Sequence, residues 1–299
     1  MPGWRVVIVS SEAEASLRLG SLCLASNDSS LSVPLEDIHA IVFENPRGRV
    51  SLALLSAASE AGVSTIFVND KHMPCGVLIP VGQSPRENNL IRQQVGLREP
   101  FKKRLWQAII RQKILNSASC LDLLGREGGK QLRDIARTVA SGDSTGREAH
   151  AARLFFRKVE AGFQRHGDSA ASAALDYGYA VLRATLARSL AAVGFACALG
   201  ISHNSRSNNF NLADDLLEPY RPFVDLHVFS NPPRDELTRD YREYLVSVLH
   251  LECDMSTGTY TLATASDETA LSLARAMTAH AVKQLQLPSL REHARRVYE

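Results

Sequence analysis

The sequence predicts an α+β protein in which a small β-rich, sandwich-like part is followed by a larger, predominantly α-helical part that would carry the chemistry. Three observations predict it. Short β-branched runs separated by Gly, Asn, Asp and Ser fill the first 80 residues. Beyond residue 86 the apolar spacing lengthens to three or four, the period of a helix. A length of 299 residues with 45% hydrophobic and 22% charged side chains suits one large or two smaller folded domains and excludes collagen-like, coiled-coil and disordered classes. The pattern changes at Gly82-Gln-Ser-Pro85, so the expected domains are 1–85 and 86–299.

Taken in order, strands are expected at Arg5–Val9, Ser16–Leu19, Ser21–Leu24, Leu31–Pro34, Ile38–Phe43, Thr65–Val68 and Val77–Val81, with a turn at Ser26–Ser29. One helix interrupts them, Val50–Ala61, stopped by Gly62. Helical periodicity then runs through Asn88–Asn116, Lys130–Ala140, Arg147–Gly162, Ser172–Gly200, Ala213–Phe229, Asp235–His250 and Asp267–Leu285. A strand signal returns only near Met255–Leu262, and no solenoid repeat or low-complexity tract interrupts the pattern.

The charge-free apolar stretch Ser189–Ser202 has 14 residues, too few to cross a bilayer. The N-terminal segment lacks the apolar region and cleavage site of a signal peptide, so a cytoplasmic protein is expected. Five widely spaced cysteines with no CxxC pair support neither a disulfide framework nor a zinc site, and read as small buried hydrophobes. A formal charge of +2 says little, but its distribution says more: residues 1–85 carry five basic and eight acidic side chains, the remainder 29 and 24. Arg86, Arg92, Arg98, Lys102, Lys103, Arg104, Arg111 and Lys113 face only Glu87 and Glu99 in their stretch, a run that tracks phosphates or forms a solvated helix face.

Nucleotide hydrolysis and serine esterase chemistry are disfavoured, because Gly125-Arg-Glu-Gly-Gly-Lys130 lacks P-loop spacing and no GxGxxG or GxSxG occurs. A set of His and carboxylates remains: Glu148, His203, Asp215 and Glu218. Thr145-x-x-Glu148 has the spacing of a capping box, so Glu148 is either a cap or a first-turn carboxylate whose small neighbours Ala149, Ala151 and Ala152 leave room for a metal. His203 opens a polar segment before an acidic helix that Asn211 is placed to cap. Asp215 and Glu218 stand one turn apart, and like charges at that spacing call for a cation, either Arg221 or a hard ion such as Mg²⁺ or Mn²⁺. Pro219 and Pro222 predict a kink in the same helix.

Gly200-Ile-Ser-His203 followed by Asn209-Phe-Asn-Leu-Ala-Asp-Asp-Leu-Leu-Glu-Pro-Tyr-Arg-Pro-Phe-Val-Asp225 resembles the signature of the CRISPR-associated spacer-acquisition integrases, the Cas1 family, in its type II form. Arg147-Glu-Ala-His-Ala-Ala-Arg-Leu-Phe-Phe156 resembles that family's glutamate helix, and Leu175-Asp-Tyr-Gly-Tyr-Ala-Val-Leu182 its tyrosine-rich helix. The resemblance spans nearly the whole chain. It implies a metal triad of Glu148, His203 and Glu218 with Asp215 as acidic support, and so favours the metal role over the cap for Glu148. Asp176 and Ser202 depart from the family's usual Asn and second His, outside the triad.

The resemblance further implies a divalent-metal-dependent DNA endonuclease and integrase using Mg²⁺ or Mn²⁺. It would join 3′-hydroxyl ends of captured foreign DNA to repeat phosphodiesters in spacer acquisition, an antiviral function. The implied partners are double-stranded DNA, a second copy of the chain through the N-terminal domain, a Cas2 dimer and, in type II systems, the effector nuclease; no membrane is implied. A phosphodiester exchange needs no nucleotide cofactor, in keeping with the missing P-loop. The alternatives are a purely hydrolytic metallonuclease and a non-catalytic DNA-bridging scaffold.

Overall fold

The computed structural model describes residues 3, 5–26, 30–79, 87–160, 162–165 and 167–295. The expected hinge at 82–85, most of the 26–29 turn, the end of the 77–81 strand and Arg86 lie outside them. The N-terminal strands form where β-branched and apolar residues predict them: β1 (Arg5–Val9), β2 (Glu14–Arg18), β3 (Ser21–Ala25), β4 (Ser30–Pro34), β5 (Ile38–Phe43), β6 (Arg49–Val50), β7 (Ser64–Val68) and β8 (Pro74–Leu78). Helix α1 (Leu52–Glu60) begins where the Ser51 hydroxyl accepts the Leu54 N–H at 3.2 Å.

Two four-stranded sheets result, ordered β1-β5-β7-β8 and β4-β3-β2-β6. The first is mixed: β1, β5 and β7 are parallel, and the β5-to-β7 connection passes through β6 and α1. All six residues of β5 are buried. Ile41 and Phe43 join Leu22 and Leu54 in a core shared with the second sheet and α1, while Ala40, Val42 and Ile66 join the large core of the helical part. β5 is thus covered on both faces, which removes the polar alternation of a one-sided strand, and its one polar side chain, His39, is buried with the rest.

The remaining elements are α2 (Glu87–Val95), α3 (Glu99–Leu123), α4 (Gly129–Arg137), α5 (Arg147–Val159), α6 (Ala170–Val193), α7 (Asn211–Leu217), α8 (Arg221–Ser230), α9 (Arg239–Val246), β9 (Leu251–Met255), β10 (Gly258–Thr261), α10 (Leu262–Thr278) and β11 (Ser289–Arg295). The expected single helix over 88–116 is two, because residues 96–98 break it and Pro100 restarts it in the first turn of α3, where a missing N–H costs nothing. α6 stops at Gly194, whose φ of +105° suits glycine, well before the expected Gly200. Strands β10, β9 and β11 form a small antiparallel sheet in that order, and β11 was not expected.

α6 is the buried axis of the helical part, from Ser172 to Leu190. Gly178 lets it approach α8 closely, since a Cβ there would lie 2.5 Å from Val224 Cγ1. Near its end the buried Arg188 donates to Asp267 of α10 at 2.5 Å and to the Gly62 carbonyl after α1, tying the two parts together. Cys120, Cys197 and Cys253 are buried, Cys23 is partly so, and Cys75 is exposed, contrary to expectation. Among the described residues no helix is long and apolar enough to cross a membrane.

Candidate active site

One face of the 25-residue α3 organises the site. Trp106, Lys113 and Asn116 recur at helical spacing along it, and each holds a different segment. Trp106 meets His203 edge to face with centroids 5.7 Å apart. Lys113 lies between Glu148 and Glu218, its Nζ 2.5 Å from a carboxylate oxygen of each. Asn116 is buried; its amide donates to the Pro219 and Pro288 carbonyls at 2.7 and 2.9 Å and its Oδ1 accepts the Leu290 N–H at 3.1 Å, so the Glu218 turn and the start of β11 share one anchor.

Glu148 occupies the first turn of α5, and its carboxylate is not a cap. The residue before the helix is Gly146, and the backbone N–H groups of Arg147 and Glu148 donate to the Asp143 carboxylate at 2.8 and 3.0 Å. With Asp143 satisfying those donors, the Glu148 carboxylate is directed to Lys113 instead.

The kink expected from the prolines is present. α7 ends at Leu217, a 3-10 turn spans Glu218–Tyr220, and α8 restarts at Arg221 with Pro222 in its first turn. Pro219 has no N–H to offer the Asp215 carbonyl, so the regular ladder ends there and Glu218 sits on the tightened turn. Glu218 is buried; Oε2 meets Lys113 and Oε1 accepts the Arg221 Nε–H at 3.0 Å. Burial opposes its charge, but Lys113 and Arg221 outweigh this and hold its carboxyl down at about 2. Burial likewise works against the Lys113 ammonium, and the carboxylates of Glu218 and Glu148 overcome it and raise its pKa.

Asp215 points the other way and is wholly buried. Its oxygens accept the backbone N–H groups of Ile201, Ser202 and His203 at 2.5, 3.1 and 3.0 Å, and its Oδ1 lies 2.8 Å from His203 Nδ1. Gly200 makes this wrap possible, because a Cβ there would fall 2.2 Å from the His203 carbonyl and 2.8 Å from Asp215 Oδ2. The hydrogen bond to Asp215 is the main reason the half-exposed His203 holds its proton above the usual value, and Glu218 adds to it from a distance. Asn211 does not cap α7; its amide donates to the Ala198 and Ser205 carbonyls at 3.0 and 2.9 Å and closes the same loop.

A cavity of about 280 Å³ opens beside the Lys113 contacts, lined by Glu148, Glu218, Arg165, Arg221, Tyr179 and Asp225 among others. Tyr179 donates to Asp225, and the guanidinium carbons of Arg221 and Arg165 stand 4.5 and 5.3 Å from its ring centroid. Burial pushes the Asp225 carboxyl up to about 7. The cavity thus presents positive groups to an anion and carboxylates to a cation.

Of the residues expected from sequence, Glu148 and Glu218 are brought to one cation, and His203 and Asp215 to each other. Among the described residues no three His, Cys, Asp or Glu side chains are placed to hold one metal ion together. The donor chemistry nevertheless fits a hard divalent ion. The two carboxylates already flank a positive charge, and Asp215 engages Nδ1 of His203, so Nε2 is the ring nitrogen it leaves to any ligand. Lys113, Asn116 and Trp106 were not expected at the site. The available signal was that Lys113 and Asn116 fall four and seven residues beyond Ile109, on the face that the apolar period marks as buried.

The family model described as CRISPR associated protein Cas1 matches residues 6–253. The chain is 38% identical over 293 residues, 96% of each chain, to the CRISPR-associated endonuclease Cas1 of Neisseria meningitidis serogroup C (strain 8013). In fold it is similar to a casposase bound to integration product, with a TM-score of 0.74 and 17% identity over 93% of this chain and 91% of that one. It is also similar to a chain of a Cas6-RT-Cas1–Cas2 complex, with a TM-score of 0.72 and 19% identity over 95% of this chain and 36% of that one.

Proposed function

The chain belongs to the Cas1 family, and from that premise we propose a divalent-metal-dependent DNA integrase and endonuclease. It joins the 3′-hydroxyl of a captured DNA fragment to a repeat phosphodiester in spacer acquisition. The observation that carries this reading is the convergence of Glu148 and Glu218, from separate elements, on one positive charge beside a cavity that also presents Arg165 and Arg221.

Glu148, Glu218 and His203 would hold Mg²⁺ or Mn²⁺, which when bound stabilises the charge developing on a phosphodiester. The chain's own residues do the positioning. Asp215 fixes the tautomer and angle of His203, Asn116 sets the Glu218 turn, and the Arg165 and Arg221 guanidinium groups attract phosphate oxygens into the cavity. One phosphodiester is exchanged for another, so the step consumes no nucleotide.

The exposed Arg92, Arg98, Lys103, Arg104 and Arg111, on α2, α3 and the break between them, offer a path for a DNA backbone read through phosphates, whereas Lys113 leaves that set because it is engaged by carboxylates. Likeness in fold to a casposase bound to integration product and to a chain of a Cas1–Cas2 complex supports DNA and Cas2 as partners. A homodimer through the N-terminal part and contact with the type II effector nuclease complete the proposal, in the cytoplasm.

The test supplies 3′-hydroxyl duplex fragments, a supercoiled plasmid carrying the repeat, Cas2 and Mn²⁺. Joined fragment–plasmid products are expected. Shortened fragments without joining would support the hydrolytic nuclease, and binding with neither product would support the scaffold.

A further inference from the structure

Lys113 places the only kind of group a lysine offers, a compact positive charge, between the two carboxylates proposed above as metal ligands. Its Nζ is 2.5 Å from Glu148 Oε1 and 2.5 Å from Glu218 Oε2. The Lys113 and Glu218 side chains are 15% and 8% exposed, so water screens this contact poorly. Glu218 keeps a second cation, Arg221, on its other oxygen at 3.0 Å. The position of Nζ is set by the fold: α3 is fastened to the Glu218 turn by the Asn116–Pro219 bond, one residue beyond Glu218 and one helical turn from Lys113.

We infer that Lys113 is an internal counter-ion that holds the Glu148 and Glu218 carboxylates together before metal arrives, and that a divalent cation must displace its ammonium to bind them. This rests on the proposed metal role of the two glutamates. An ammonium and a metal ion cannot occupy the same space between two oxygens, so the arrangement trades metal affinity for a preassembled, neutralised pair. Two anions without either cation repel at this range, and one of them is buried. Lys113 is therefore a positioning residue: it acts on the ligands and leaves them when the ion is in place.

The test uses the full chain without metal and then with Mn²⁺. Lys113→Met keeps the stem and removes the charge. Its metal-free melting temperature should fall, and adding Glu148→Gln to it should recover the loss, because neutralising one carboxylate relieves the repulsion. Mn²⁺ bound by Lys113→Met, followed by calorimetric titration, should be about tenfold tighter than by the parent chain. In the parent chain itself, saturating Mg²⁺ should speed acylation of Lys113 by an amine-reactive reagent severalfold, read by peptide mass spectrometry, which keeps the test alive if Lys113→Met folds poorly. Equal or weaker Mn²⁺ binding by Lys113→Met, or a Lys113 acylation rate indifferent to Mg²⁺ that is shown to bind, overturns the displacement while leaving the metal role intact. Failure of both chains to bind Mn²⁺ overturns the metal role and displacement together, and the metal-free melting series still decides whether Lys113 is the counter-ion.

Discussion

Glu148→Gln is expected to lower fragment joining by about a thousandfold or more while the chain stays folded. The amide preserves the shape of the side chain but removes the negative charge that a hard cation requires. Stability should change by less than about 1 kcal/mol, because Glu148 is 31% exposed and Lys113 retains Glu218 as a partner. His203→Ala should lose joining alike, since Nε2 is the nitrogen that Asp215 leaves available. Joining assays read beside thermal unfolding separate the two effects. Unchanged joining by a folded Glu148→Gln chain would favour a scaffold whose acidic residues are structural.

Asp215→Ala is expected to have the largest effect on stability, about 3 kcal/mol, and to abolish joining although Asp215 is not itself a proposed metal ligand. The lost carboxylate accepts three consecutive backbone N–H groups and the His203 imidazole, so its removal frees Ile201–His203 while Asn211 still holds Ser205. The pH dependence has a definite sign. His203 holds its proton above the ordinary imidazole value of about 6.5 chiefly through Asp215, so its contribution to stability is fully present below that value and fades as pH rises through the folded pKa. The stability difference between the parent chain and Asp215→Ala should therefore be larger at pH 6 than at pH 9, measured by denaturant unfolding. A constant difference would mean that the carboxylate serves the backbone donors alone.

The strands were legible because β-branched runs between turn residues depend on local spacing, and β1 and β5 begin and end where the pattern places them. Helix ends were less so. The gap at 96–98 and the stop at Gly194 depend on one residue each, Pro100 and a left-handed glycine, inside an otherwise continuous apolar period. β11 carries the polar run Ser-Leu-Arg-Glu-His-Ala-Arg and exists by pairing with β9, a tertiary effect no local pattern encodes. The prolines announced the Glu218 kink for the same local reason that the strands were visible.

Lys113 misled for the opposite reason. It sits in a basic stretch and reads as solvent-facing, yet its partners lie 35 and 105 residues away along the chain, and only folding brings them together. Thr145-x-x-Glu148 likewise matched a capping spacing that Asp143 pre-empts, which left the glutamate free for another task. The resemblance to a known family, and not residue spacing, separated those two roles of Glu148.

The most direct measurement is a crystal of the chain soaked in Mn²⁺ and read by anomalous scattering. One peak is expected within coordination distance of Glu148, Glu218 and His203 Nε2, with the Lys113 ammonium withdrawn from between the carboxylates. A saturating soak in which manganese settles elsewhere, or binds with any of the three side chains turned away, would contradict it.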